Sequence, residues 1–246
     1  MASKWSLQEL RAYFGEKGLN YPLLMERVHD LIIKTLLAVE PVTLSALQQG
    51  ATFAGPGASA QLVANQNCFE ILGFDVLADE DLRPWLLEVN TFPSLASSSP
   101  LDKRIKTRLV SDALTAVGLH PFDHELVERA AKEDQMKRLQ GALPRAGVAR
   151  SHTVQSIGTA ALRDLGEAEW QLIVDTHDEY LRRGALERIF PTQATSRQYS
   201  GLFAAPRYSN LVLARWLECG AERCFKPDNA DLVPPWVPRL ATSEAC

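Results

Sequence analysis

Asn67 to Lys106 reads NCFEILGFDVLADEDLRPWLLEVNTFPSLASSSPLDKRIK, and its pattern decides the fold. Two apolar runs, Cys68–Leu77 and Trp85–Val89, flank the polar turn ADEDLRP. That is a strand–turn–strand signature with a loop longer than two residues. What stands out among the residues that interrupt the apolar runs is Asp75 in the first, and Glu88 and Asn90 in and just after the second. Side chains alternate along a strand with period two, so Glu88 and Asn90 share a face. If the hairpin folds about Asp81 and Leu82, Asp75 lies opposite Glu88 on that face; a slip of one residue would reverse it.

Carboxylates facing each other across two strands repel. Burial would raise the cost further. A divalent cation offsets both effects, and two carboxylates with a carboxamide are hard oxygen donors suited to Mg²⁺ holding nucleotide phosphates. The competing reading is a hairpin whose acids simply face water.

This stretch resembles the C-terminal signature of the tubulin tyrosine ligase-like enzymes, polyglutamylase branch, which are ATP-grasp ligases. The likeness continues in SKWSLQELRAYF (Ser3–Phe14), VHDLIIKTLLAVEP (Val28–Pro41) and LVSDALTAVGL (Leu109–Leu119). It is looser in RRGALERIFPT (Arg182–Thr192) and RYSNLVLARWLE (Arg207–Glu218), which resemble the region after the ligase core. The resemblance implies a tubulin polyglutamylase that uses ATP and Mg²⁺ to add free L-glutamate to glutamates of acidic tubulin tails. It implies that Asp75, Glu88 and Asn90 bind the metal, and that Ser3, Lys4 and Lys106 hold the incoming glutamate. A lysine ammonium suits a substrate carboxylate as a point charge. Lys103 is a near neighbour of Lys106, and Lys34 sits among apolar residues, where it is expected to snorkel.

The resemblance also implies two further parts of the ATP-grasp fold upstream of Ser3, with the adenine pocket and the lysines that hold phosphate. The 246 residues begin where the last third of that core begins. By itself the chain is therefore expected to lack ligase activity, either as part of a longer ligase or as a degenerate relative. The alternative function is a non-catalytic tubulin- or microtubule-associated interaction protein derived from such a ligase.

The composition fits a globular protein, with 46% apolar and 23% charged residues. A net charge of −4 gives no overall footprint for nucleic acid. No apolar run suits a bilayer span and MASKWSLQEL is no signal peptide, so neither nucleic acid nor membrane is expected as a partner. The four cysteines lack zinc or redox spacing and read as reduced thiols. The five histidines are scattered and read as structural. A cytoplasmic, cytoskeletal location follows from the resemblance, the cilium or basal body included.

The expected fold class is α+β: the C-terminal portion of an ATP-grasp fold, an antiparallel hairpin with flanking helices, then a mainly helical extension. The divisions are 1–120 for the ligase part, 121–165 for a helix and basic linker, and 166–246 for a helical extension with a disordered tail. Ser6 and Glu9 form a capping box for a first helix carrying Leu7, Leu10 and Phe14. A second helix starts near Pro22, turns Leu24, Val28, Leu31, Ile32 and Leu36 to one face, and stops at Pro41. Leu47–Gln66 reads as a flexible connection without a phosphate loop. Helices follow at Asp102–Val117, with Ile105, Leu109, Val110 and Leu114 inward, and at Asp123–Gln140. Gly141–Thr159 reads as a basic linker. Lys137, Arg138 and Arg145 offer a weak, salt-sensitive contact to acidic tubulin tails. Gly166–Arg183 and Arg207–Cys219 are the last helices, with Trp170 and Trp216 expected in the core, and VPPWVPRL is expected to be extended.

Overall fold

The computed structural model describes residues 4–52, 69–118 and 152–220, together with residues 125, 129, 132, 133 and 136. The first helix, α1, is Leu7–Glu16. It starts where the capping box places it: the Ser6 hydroxyl accepts from the Glu9 N–H, and the Glu9 carboxylate accepts from the Ser6 N–H. The bond from the Ser6 backbone is the largest influence lowering the Glu9 pKa. Phe14 is the buried residue of α1, whereas Leu7 is exposed. Gly18, at φ 67°, turns the chain into the next helix.

The second helix, α2, is Tyr21–Thr52. Asn20 caps it through its side-chain oxygen, which accepts from the Leu23 N–H at 3.0 Å. Its buried residues are Leu24 and Ile33; Leu36, expected inward, is exposed. The expected stop at Pro41 does not occur, because α2 runs through it. An interior proline costs about 3 kcal/mol. Immediately before it, the Arg207 guanidinium takes both Glu40 oxygens at 2.7 and 2.8 Å. This half-buried bidentate pair contributes on the order of 1–3 kcal/mol and offsets much of the proline's cost. Just beyond, the Thr43 hydroxyl donates to the Val39 carbonyl at 3.3 Å. The flexible connection expected from Leu47 thus begins as helix up to Thr52, and its remainder lies outside the described residues.

Strands β1 (Gly73–Ala78) and β2 (Pro84–Asn90) form a two-stranded antiparallel sheet. Asp79 organises the turn. Its carboxylate accepts from the N–H groups of Asp81 and Arg83 at 3.1 and 2.8 Å and from the Trp85 indole at 2.9 Å. The Trp85 bond is the first of the influences that lower the Asp79 pKa. Leu82 carries the left-handed kink, at φ 57°. Arg27 of α2 donates to the Asp81 carbonyl at 2.7 Å, which ties the turn to the helix on which both strands pack.

Helix α3, Pro100–Val117, has Ser99 as N-cap, Pro100 in the first turn and Gly118, at φ 69°, as C-cap. Of its expected inward residues, Leu109 and Val110 are half-buried but Ile105 and Leu114 are exposed. The buried residue is the small Ala113, on the helix that packs against the extension.

The main core lies in that extension, around α4 (Glu167–Arg182) and α5 (Tyr208–Glu218). Trp170, Ile173, Val174, Val212, Leu213 and Trp216 fill it, so both tryptophans are core as expected. The linker expected over Gly141–Thr159 is not one from His152 onward. Ile157 is fully buried and, with Ala160, Leu162 and Leu165, joins the core of α4 and α5. Local charge suggested a solvated strip, but four apolar side chains on two short 3₁₀ turns outweigh it. The Arg215 guanidinium donates to the Ala160 carbonyl at 2.7 Å and pins this segment to α5.

The extension grips the first half at several points. The Tyr199 hydroxyl donates to Asp30 at 2.8 Å, Arg207 clamps Glu40, and the Ala185 N–H donates to Asp112 at 3.0 Å. Helices plus one small antiparallel sheet among the described residues match the expected α+β character. No helix among these residues is long and apolar enough to cross a membrane. The tail VPPWVPRL, His120, His124, and Asp123–Gln140 apart from five residues, lie outside them.

Candidate active site

The hairpin register places the polar trio together. Asp75 pairs with Glu88, Phe74 with Val89 and Gly73 with Asn90. Between Asp75 and Val76 the register shifts, and Leu87 is the extra residue of a β-bulge. On the trio's side of the bulge the pairing is regular, so Glu88 and Asn90 lie on the same face as Asp75. The Asn90 amide donates to the Glu88 carboxylate at 2.9 Å, which shows directly that the two share it. Asp75, Glu88 and Asn90 are all exposed, as are Leu77 and Trp85, while Phe74, Val76 and Val89 are half-buried. The trio therefore stands on the open face of the sheet.

Two carboxylates and an amide oxygen are donors that Mg²⁺ accepts. Neither carboxylate forms an ion pair among the described residues, so their mutual repulsion is not relieved by a nearby lysine or arginine. No group of three His, Cys, Asp or Glu side chains suited to a metal occurs among these residues. The trio fits a hard cation only with its amide counted, and with water or phosphate completing the shell.

From Asn90 the chain enters a loop that reaches α3. Pro93 seats it against the sheet: a Cβ at Gly73 would lie 3.1 Å from that of Pro93. The next residue after the trio's amide but one, Phe92, is 94% exposed. The far end of the loop is bound to α3 by polar contacts. Lys106 donates to the Ala96 carbonyl, and the Ser98 hydroxyl donates to Asp102 at 2.8 Å. Lys4 arrives from the start of the chain and donates to the same Asp102 oxygen at 3.2 Å. The Ser98 hydroxyl and then Lys4 hold the Asp102 carboxyl down at about 2.

Lys4 and Lys106 are thus brought to one loop. Lys103, its near neighbour in sequence, is exposed. Lys34 pairs with Asp30 at 2.7 Å, one turn away on α2. Ser3, Lys137, Arg138 and Arg145 lie outside the described residues. Asp102 is the residue that sequence reasoning passed over. Its signal was Ser99 followed three residues later by an acid, a capping pattern that says nothing of a lysine far away in sequence.

The tubulin-tyrosine ligase family model matches residues 1–126. The chain is 31% identical over 232 residues to the tubulin monoglutamylase TTLL4 of Homo sapiens, covering 87% of this chain and 18% of that protein. It is 32% identical over 237 residues to the tubulin polyglutamylase TTLL5 of Homo sapiens, covering 86% of this chain and 17% of that one. The tubulin polyglutamylase ttll-4 of Caenorhabditis briggsae is 30% identical over 220 residues, 87% of this chain and 35% of the relative. The chain thus spans a minor part of the length of each. The matched segment contains α1, α2, the hairpin with its trio, and α3 with Asp102 and Lys106, and the chain belongs to the tubulin-tyrosine ligase family.

Proposed function

We propose that these residues form one wall of an ATP-dependent ligase that joins glutamate to glutamate side chains of tubulin, a tubulin polyglutamylase. The observation that carries the reading is the pairing of Asp75 with Glu88 on an exposed sheet face, with Asn90 bonded to Glu88. Asp75, Glu88 and Asn90 would hold Mg²⁺. Bound there with ATP, the metal would neutralise phosphate charge during transfer to a carboxylate. The residues of the chain do the rest by position. Lys4 and Lys106 present ammonium groups for the carboxylates of the amino acid to be added, and Ser3, the preceding residue in the sequence, is proposed to share that role. The half-wall belongs to an ATP-grasp architecture in residues 1–120, followed by the helical extension. Lys137, Arg138 and Arg145 are proposed as a weak electrostatic contact to acidic tubulin tails at microtubules, including those of the cilium.

Incorporation of labelled glutamate into tubulin tests the reading. The 246-residue protein alone should show none, because acids without opposing phosphate-binding cations repel a polyphosphate. The same residues extended upstream by the remaining ATP-grasp parts should show turnover that Glu88→Gln abolishes. Turnover unaffected by Glu88→Gln would overturn the metal assignment. An extended protein that binds tubulin without turnover would make it an interaction protein instead.

A further inference from the structure

We infer that Asp102 is a positioning residue for Lys4: its carboxylate orders the lysine so that the free N–H bonds of the ammonium face an incoming amino-acid carboxylate. The inference rests on the ligase reading above and adds a residue to it.

A helix cap needs less than Asp102 provides. Its backbone N–H already bonds the Ser99 hydroxyl at 3.1 Å, which satisfies the start of α3. The Asp102 side chain instead gathers three donors on one oxygen: the Ser98 N–H at 3.4 Å, the Ser98 hydroxyl at 2.8 Å and the Lys4 ammonium at 3.2 Å. The first two hold the carboxylate in place. The third comes from a residue far away in the chain and contributes nothing to the cap.

The exposures show which partner serves which. The Asp102 side chain is 13% exposed and the Lys4 side chain 60%. The acid is thus the fixed seat beneath, and the ammonium remains open to solvent above it. An ammonium has three N–H bonds, and one directed to Asp102 leaves two. The backbone at Lys4 is also anchored. Ser6, two residues on, is buried in the capping box, and Trp5 packs on Tyr13 with ring centroids 5.1 Å apart. A lysine stem is flexible, and fixing it before the ligand arrives removes an entropic cost of binding. Lys106 is anchored on the same loop through Ala96, two residues before Ser98, so both ammonium groups are set by one short segment.

The test is acetylation of the 246-residue protein by an N-hydroxysuccinimide ester, read lysine by lysine by mass spectrometry, with and without L-glutamate at tens of millimolar. An ammonium seated on a carboxylate must leave it to react. Lys4 should therefore be acetylated roughly tenfold more slowly than exposed Lys103, and L-glutamate should lower the ratio of the Lys4 to the Lys103 rate further, a ratio that cancels the ester consumed by the amine of glutamate itself. Asp102→Asn keeps an acceptor for Ser98 but removes the charge. It should bring Lys4 close to the Lys103 rate and abolish protection by glutamate. Ser98→Ala, which only loosens the seat, should have the same effect in smaller measure and serves if the first variant unfolds. Equal Lys4 rates in the wild type and both variants would overturn the inference. A strong Asp102 effect with no protection of Lys4 or Lys106 by glutamate would overturn the substrate role of the lysines, and the positioning role with it.

Discussion

Asp112 on α3 accepts a hydrogen bond from the Ala185 N–H at 3.0 Å, one residue after a glycine held at φ 60°. The helix that carries Asp102 and Lys106 is thereby fastened to the extension. Arg182 reinforces the joint by donating to the Ala116 carbonyl at 3.4 Å. The extension is a brace for the site helix as well as a core of its own.

Gly184→Ala should weaken that joint. A Cβ at this position would run into the Asp112 carboxyl group, and the left-handed backbone disfavours any side chain. The expected loss is on the order of 2 kcal/mol, read as a melting temperature lower by about 4–8 °C. An unchanged melting temperature would show that the Ala185–Asp112 contact is not held in solution.

Arg207→Ala should release the second half of α2. Without the guanidinium, Glu40 loses its partner just before Pro41, and the proline's cost is no longer offset. Backbone amides from Val42 to Ala46 should then exchange faster than in the wild type, while those from Leu24 to Ile33 should not. A double-mutant cycle with Glu40→Ala should give a coupling of about 1–3 kcal/mol. Additive effects would assign the continuity of α2 to something other than this pair.

The acid limb of stability should carry the signature of Asp102. Its pKa falls from an ordinary aspartate value of 3.8 to about 2 in the folded protein. A depressed carboxyl stabilises the fold fully above the unfolded value, and the contribution disappears as pH falls through the folded one. The denaturation midpoints of the wild type and Asp102→Asn should therefore differ at pH 6 and converge between pH 4 and pH 2. A gap that is constant across this range would mean that the charge on Asp102 is not what stabilises the loop.

Tyr199 should mark the alkaline limb. Burial first, then its bond to Asp30, push its hydroxyl up to about 12 from an ordinary 10. For a group raised in the folded state, the stabilisation is present below pH 10 and lost as pH rises towards 12. Tyr199→Phe should remove that part of the alkaline loss of stability. Spectrophotometric titration should show one fewer late-ionising tyrosine in the variant.

The hairpin was legible because its signal is local. Alternation alone puts Glu88 and Asn90 on one face, and a turn near Asp81 sets Asp75 opposite Glu88. The bulge at Leu87 was not visible, but it shifts only the pairs nearer the turn and leaves the trio aligned. What sequence could not show depends on distant partners. Pro41 looked like a stop because Arg207, which compensates for it, is far along the chain. Ile157 looked like linker because the surrounding charge was easier to see than its fit against α4 and α5. Asp102 reads in the sequence only as the start of a helix, and the lysine it holds cannot be inferred from that.

The trio itself leads to the last prediction, which separates a metal site from an acidic hairpin facing water. Asp75 and Glu88 sit opposite each other with no ion pair to relieve them among the described residues. Such like-charge pairs cost a few tenths to about 1 kcal/mol. Without metal, Glu88→Gln should therefore be at least as stable as the wild type, although it gives up a charged acceptor for the Asn90 amide. Addition of Mn²⁺ should reverse the order, since cation binding stabilises only the protein that has the site. Three donors on an exposed face are half of an octahedral shell, so the dissociation constant should be weak, about millimolar. Calorimetric titration of Mn²⁺ into the wild type, Glu88→Gln and Asp75→Asn checks it. Heat of binding in the wild type alone, with a matching rise in its melting temperature, is the expected outcome. Equal binding by all three proteins would leave the trio as a solvated strand face and remove the observation on which the ligase reading rests.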